Sequence, residues 1–124
     1  MRTVYLLICL TLLTHLSLAQ VPTIAWQNVI GGTLSDRLKK VVQTTDGGYI
    51  LGGYSNSKNT GDKTENRIGD DDYWVVKVNS SGVIEWDETI GGTGSDQLYS
   101  IEQTVDGGYI LGGTSKSQIS GDKT

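Results

Sequence analysis

The apolar residues of this chain change their spacing from one short run to the next, and those changes outline strands. Four runs occur between Leu38 and Ile90: Leu38 to Thr44, Gly48 to Ser55, Tyr73 to Asn79 and Val83 to Ile90. The fourth alternates, with Ile84, Trp86 and Ile90 on one face and Glu85, Asp87 and Thr89 on the other. A strand with one wetted face belongs at the outside of a sheet. The second and third, Tyr49-Ile-Leu-Gly-Gly-Tyr54 and Tyr73-Trp-Val-Val-Lys-Val78, are apolar on both faces and belong in the middle of a sheet covered from both sides. Asp46-Gly47 and Asn79-Ser-Ser-Gly82 supply the turns between neighbours. Past the N-terminal segment no stretch keeps the apolar spacing of about 3.6 residues that a helix requires.

The pattern then returns. Asp46-Gly-Gly-Tyr-Ile-Leu-Gly-Gly53 recurs as Asp106 to Gly113, sixty residues later and with every residue identical. Trp26 matches Trp86, Gly31-Gly32 match Gly91-Gly92, and Gly61-Asp-Lys-Thr64 match Gly121-Asp-Lys-Thr124. Residues 24–64 laid on 84–124 give 25 identities in 41 ungapped positions, which marks an array of one supersecondary unit that buries its faces by stacking on its neighbours. The first repeat covers residues 24–83 and the second 84–124, and strands are expected at 24–30, 38–44, 48–55, 73–79, 83–90, 98–104 and 108–115. A four-stranded antiparallel unit repeated in tandem is a β-propeller blade, whereas β-solenoid coils repeat at about 20–30 residues. The expected fold is therefore all-β, with propeller-like blades in about one and a half repeats of sixty residues. The lone copy of strand four at 24–30 is expected to complete a last blade. The second repeat stops at Thr124, where the first continues into two more strands, so the sequence reads as a fragment of a larger ring. Gly52 and Gly53 read as places where an adjacent sheet approaches closely.

These residues carry a resemblance. Trp86-Asp-Glu-Thr-Ile-Gly-Gly-Thr-Gly-Ser-Asp96, Gln103-Thr-Val-Asp-Gly-Gly-Tyr-Ile-Leu-Gly-Gly113, Ser120-Gly-Asp-Lys-Thr124 and Asp72-Tyr-Trp-Val-Val-Lys-Val78 resemble the tandem propeller repeats of large secreted and cell-surface proteins in Bacteroidota. The resemblance implies a secreted or cell-surface protein whose partners include further blades of the same polypeptide. Proteins of that type often end in a C-terminal sorting domain, and this sequence holds no such segment.

Export is also expected from the N-terminus. Residues 1–19 read as a signal peptide: Arg2 is the positive end, Val4 to Leu18 the apolar core, and Ser17-Leu18-Ala19 the cleavage site, leaving residues 20–124 with Gln20 first. Cleavage removes Cys9 and His15, the sole cysteine and histidine, and with them disulfides, thiol or imidazole catalysis and nitrogen or sulfur metal ligands. No apolar run long enough to span a membrane then remains. Without Arg2, nine Lys and Arg face fourteen Asp and Glu. That acidic balance argues against a nucleic-acid partner, which needs clustered cations.

Candidate chemistry is sparse. Thr44, Asp46 and Gly48, and again Thr104, Asp106 and Gly108, match the first fixed positions of the Asp-box hairpin of sialidase-type propellers, but Ile50 and Leu51 break its end. The structural role, an aspartate accepting its own turn's amides, is the one expected. Asp62, Glu65, Asp70, Asp71 and Asp72 in the loop from Asn56 to Asp72 offer oxygen ligands for calcium, but consecutive aspartates point in different directions and the spacing of an EF-hand is missing. The expected metal site is none. Gly61-Asp-Lys-Thr64 lacks the upstream glycines of a phosphate loop. Asp36 with Asp96 and Asp62 with Asp122 recur near strand ends, where turn capping is the economical reading and glycoside hydrolysis the alternative. Trp26 and Trp86 fall on the inward face of strand four in both repeats, which points to core packing. A binding site is better sought where repeats differ: Arg37 against Gln97, Lys39 against Tyr99, Tyr54 against Thr114. No catalytic or cofactor residue is assigned. The expectation is a non-catalytic extracellular or cell-surface binding and adhesion scaffold for a protein or glycan. The alternative is part of a propeller carbohydrate-active enzyme whose catalytic blades lie elsewhere.

Overall fold

The computed structural model describes residues 21–124, so the signal-peptide reading of residues 1–19 and the mature terminus at Gln20 lie outside the described residues. Six strands follow one another: β1 (Asp36–Gln43), β2 (Tyr49–Ser55), β3 (Asp72–Val78), β4 (Ile84–Ile90), β5 (Asp96–Gln103) and β6 (Tyr109–Ser115). No helix occurs among the described residues. β1 to β4 form an antiparallel sheet in chain order, and β5 pairs with β6 in a second, two-stranded sheet. The two doubly apolar strands are the central pair, as their patterning requires: a strand with neighbours on both edges and packing on both faces keeps no wet side. Asp46-Gly47 closes the first hairpin with Gly47 at φ 83°, a conformation that L side chains avoid.

Alternation along β2 and β3 sends side chains into two cores. Ile50 and Val75 face β5 and join Leu98 and Ile101, with Val42, Tyr73, Tyr109 and Leu111 around them. Trp74, Val76 and Val78 face the other way, under Ile30, Tyr49, Leu51 and Ile84. The second sheet thus lies with β5 across β1, β2 and β3. Gly52 is the contact point: a β-carbon there would lie 2.8 Å from Leu98 and 3.1 Å from Ile101. Gly53 also admits a close approach, but from its own sheet, since a β-carbon there would lie 1.9 Å from the Arg37 carbonyl oxygen.

Three expectations are corrected. The face of β4 that carries Asp87 and Thr89 is not wet: both are buried, Asp87 accepting from Trp74 Nε1 at 2.8 Å and Thr64 Oγ1 at 2.7 Å, because the loop before β3 folds over them. Residues 24–30 are not a strand. Strand geometry needs a hydrogen-bonding neighbour, and β4, their counterpart, has β3; no strand among the described residues pairs with 24–30. The segment nevertheless lies where its sequence directs, with Ile30 against the second core, Asn28 Nδ2 donating to the Gly82 carbonyl at 3.1 Å, and Trp26 5.9 Å from Tyr49. Trp86 meets Tyr109 in the same manner at 6.0 Å. Neither tryptophan is a core residue: each is 41 % exposed and packs beside a tyrosine at the margin of the sheet.

Candidate functional site

The first strand of each sheet carries a bulge. Leu38 pairs with Gly53 and Lys40 with Gly52, leaving Lys39 without a partner across the ladder; Leu98 pairs with Gly113 and Ser100 with Gly112, leaving Tyr99. A bulged residue is freed from the ladder and its side chain is re-aimed. Lys39 Nζ lies 5.3 Å from the centre of the Tyr54 ring and 5.6 Å from that of Tyr99, and the two rings meet edge-on at 6.2 Å. The Arg37 guanidinium stands 5.7 Å from the Tyr54 ring, and its Nη1 donates to the Tyr54 hydroxyl at 3.2 Å. Tyr99 donates to Gln97 Oε1 at 2.7 Å, and Gln97 Nε2 donates to Asp71 Oδ2 at 2.8 Å. Arg37, Lys39 and Tyr99 are exposed around a buried Tyr54. Positions that differ between repeats therefore converge on one surface, with Thr114 at its margin opposite Gln97. Beside it runs a groove of about 250 Å³ lined by Asn28, Ile30, Arg37, Leu51, Tyr54 and Trp74.

The recurrent aspartates serve the backbone. Gly31 N donates to Asp62 Oδ2 at 3.0 Å while Asp62 N donates back to the Gly31 carbonyl at 3.0 Å. Gly91 and Asp122 repeat this at 3.1 and 2.9 Å. Gly32 N donates to Asp36 Oδ2 at 2.8 Å, and Gly92 N to Asp96 Oδ2 at 2.7 Å. The Gly-Gly and Gly-Asp-Lys-Thr motifs recur together because they clamp each other. Burial pushes the Asp96 carboxyl up, but hydroxyl bonds from Ser115 and Ser117 and the Gly92 amide outweigh it and hold the group below its ordinary range.

The acidic loop does not converge either. Asp71 accepts from Gln97, Glu65 Oε2 accepts from Thr89 N at 2.8 Å, and Asp72 Oδ2 accepts from Ile68 N at 2.7 Å and Gly69 N at 3.1 Å. Asp70 uses its backbone amide on the Gly94 carbonyl at 2.9 Å. Among the described residues no three His, Cys, Asp or Glu side chains come together as a metal site. Asp72 is wholly buried and its Oδ1 has no hydrogen-bond partner. Burial raises its pKa, the charge of Asp96 adds to the rise, and the two amides oppose it.

Two lysines that the sequence left unremarked turn inward. Lys63 is 1 % exposed, and its Nζ donates to the Glu65 carbonyl at 2.9 Å and to Thr89 Oγ1. It is consumed in packing and offers nothing to a phosphate. Lys77 Nζ bridges Asp46 Oδ2 and Glu85 Oε2, each at 2.9 Å. Asp46 also takes the Thr44 hydroxyl and the Gly48 amide, and the Thr44 bond, the Lys77 bond and that amide together drive its pKa far down. Asp106 repeats the turn with Thr104 and Gly108. A lysine in an otherwise apolar strand was the signal for Lys77; the two acceptors of Lys63, the Glu65 carbonyl and Thr89 Oγ1, had none.

In comparison with known proteins, the chain matches no family model, no curated protein and no solved structure.

Proposed function

We propose that the chain belongs to an exported β-propeller of sixty-residue blades and acts as a non-catalytic extracellular binding scaffold, its ligand a glycan bearing negative charge. One observation carries the binding reading: Arg37, Lys39 and Tyr99, exposed around the buried Tyr54 and the half-buried Gln97, form one cationic and aromatic surface at positions where the repeats differ. Cations standing over rings suit a sugar that stacks on an aromatic and presents a carboxylate or sulfate. The blade reading is supported by the 1-2-3-4 antiparallel order, the doubly covered central strands and the clamps that return at the repeat interval. The export reading rests on Arg2, the apolar core and Ala19. The enzyme alternative gains nothing from Asp36, Asp62, Asp96 and Asp122, whose carboxylates already hold glycine amides.

The test is retention on immobilised acidic and neutral glycans, with turnover followed by release of reducing ends. Acidic glycans should retain the chain in a salt-sensitive way. Lys39→Ala or Tyr99→Ala should weaken retention about fivefold, the size of one exposed cation–ring contact. Equal retention of both variants removes the site. Release of reducing ends removes the non-catalytic reading.

A further inference from the structure

The same strand occurs in two situations. β2 and β6 are identical from Tyr49 to Gly53 and from Tyr109 to Gly113, yet β2 lies between β1 and β3 while β6 is paired only with β5 among the described residues. Two features that β3 fills in the first sheet stand open in the second. A β-carbon on Gly48 would lie 2.4 Å from the Val78 carbonyl oxygen and 2.6 Å from Lys77 Nζ; on Gly108 it would meet only its own turn, Thr104 Oγ1 at 3.1 Å and Asp106 Oδ1 at 3.5 Å. Asp46 holds Lys77, whereas Asp106 makes the same bonds within its turn and pairs with no lysine among the described residues.

We infer that the free edge of β6 docks an antiparallel strand of the β3 type: extended, apolar on both faces, and carrying a lysine set to reach Asp106. An open edge alone accepts any strand through its main chain. Charge and shape narrow the choice. In the first sheet the register runs from Tyr49 opposite Val78 to Ser55 opposite Asp72, which brings Lys77 to the Asp46 turn. The same register on β6 brings the incoming lysine to the Asp106 carboxylate and the incoming carbonyl over the gap at Gly108. The inference stands on the comparison of the two sheets, and it requires neither the glycan ligand nor a closed ring.

The probe is a peptide of residues 70–91, the β3–β4 hairpin of this chain, titrated into the full chain. Calorimetry measures the affinity, and amide hydrogen exchange locates the site. Saturable binding at one site is expected, with new protection confined to the amides of residues 109–115. Gly108→Ala fills the gap; it should leave the melting temperature of the free chain unchanged and weaken the peptide at least about tenfold, as a blocked edge bond and its charged neighbour require. Lys77→Met in the peptide should weaken binding to the parent chain about tenfold but change little against Asp106→Asn, the signature of a coupled pair. Where the peptide associates with itself, the hairpin tethered behind Thr124 by a flexible linker serves instead: it should raise the melting temperature in the parent and not in Gly108→Ala. The inference is overturned if residues 109–115 gain no protection at saturation, if Gly108→Ala binds as the parent does, or if β6 edges pair between copies and the peptide fails to displace them.

Discussion

Leu38 and Leu98 occupy the same place in the two repeats, each paired with the second glycine of Leu-Gly-Gly, and this makes them a controlled experiment. Leu98 is 0 % exposed and Leu38 57 %. Leu98→Ala removes a side chain from the inter-sheet core beside Ile50, Val75 and Ile101. The facing residue is Gly52, which has no side chain to move into the space. The cavity should therefore persist, and the loss belongs in the upper part of the usual range, about 3–4 kcal/mol. Leu38→Ala surrenders less than half of a burial worth about 1.5–3 kcal/mol and leaves no enclosed void, so about 1 kcal/mol or less is expected. Urea unfolding followed by the fluorescence of buried Trp74 separates the two, provided the slope of the transition stays constant. The expected gap is about 2–3 kcal/mol. Losses that agree to within about 0.5 kcal/mol would show that β5 is not packed on the first sheet and that this account of its core is wrong.

Asp72 and Asp96 should respond to pH with opposite signs. The Asp96 carboxyl sits below its ordinary value, so its contribution is full above about 3.8 and is lost as pH falls through the folded value; Asp96→Asn should destabilise at pH 7 and converge with the parent in acid. Asp72 sits above that value, so its contribution is full in acid and is lost as pH rises through the folded value; Asp72→Asn, which keeps an acceptor for the Ile68 and Gly69 amides, should melt higher than the parent at pH 7. Lys63 should be the slowest of the described lysines to acetylate in the native chain, read by mass spectrometry, and fast labelling would place it at the surface. Chelator should leave the melting temperature within about a degree, because an ion that stabilises must bind the native state and the acidic side chains are dispersed; a large drop restored by calcium would refute that reasoning.

Much of the sheet order was legible because it is written in which faces are apolar. Two doubly apolar runs had to be central, and Asp46-Gly47 and Asn79 to Gly82 had to turn the chain. Strand status at 24–30 was misread because alternation specifies which side faces a core, not whether a partner strand is present. The amphipathic order survives in Ile30 and Trp26, and the hydrogen-bond ladder does not. Difference between repeats pointed to Arg37, Lys39, Tyr54, Gln97 and Tyr99. Their convergence depends on how β5 crosses the first sheet, which no local pattern encodes. The mutual clamp of Gly31 and Asp62 was likewise visible only as two motifs that kept returning together.

The bulge at Lys39 and Tyr99 separates inheritance from variation. The residue before it is a leucine in both copies, Leu38 and Leu98, each paired with the second glycine, and the Arg37 carbonyl fits closely over Gly53, so the ladder fixes that place. The extra residue answers to neither. A lysine in one copy and a tyrosine in the next occupy it, while the turn and strand from Asp46 to Gly53 return unchanged as Asp106 to Gly113. Duplication of such a unit hands each new copy a position that the ladder leaves unpaired, and a mutagenesis library aimed at new specificities would begin there.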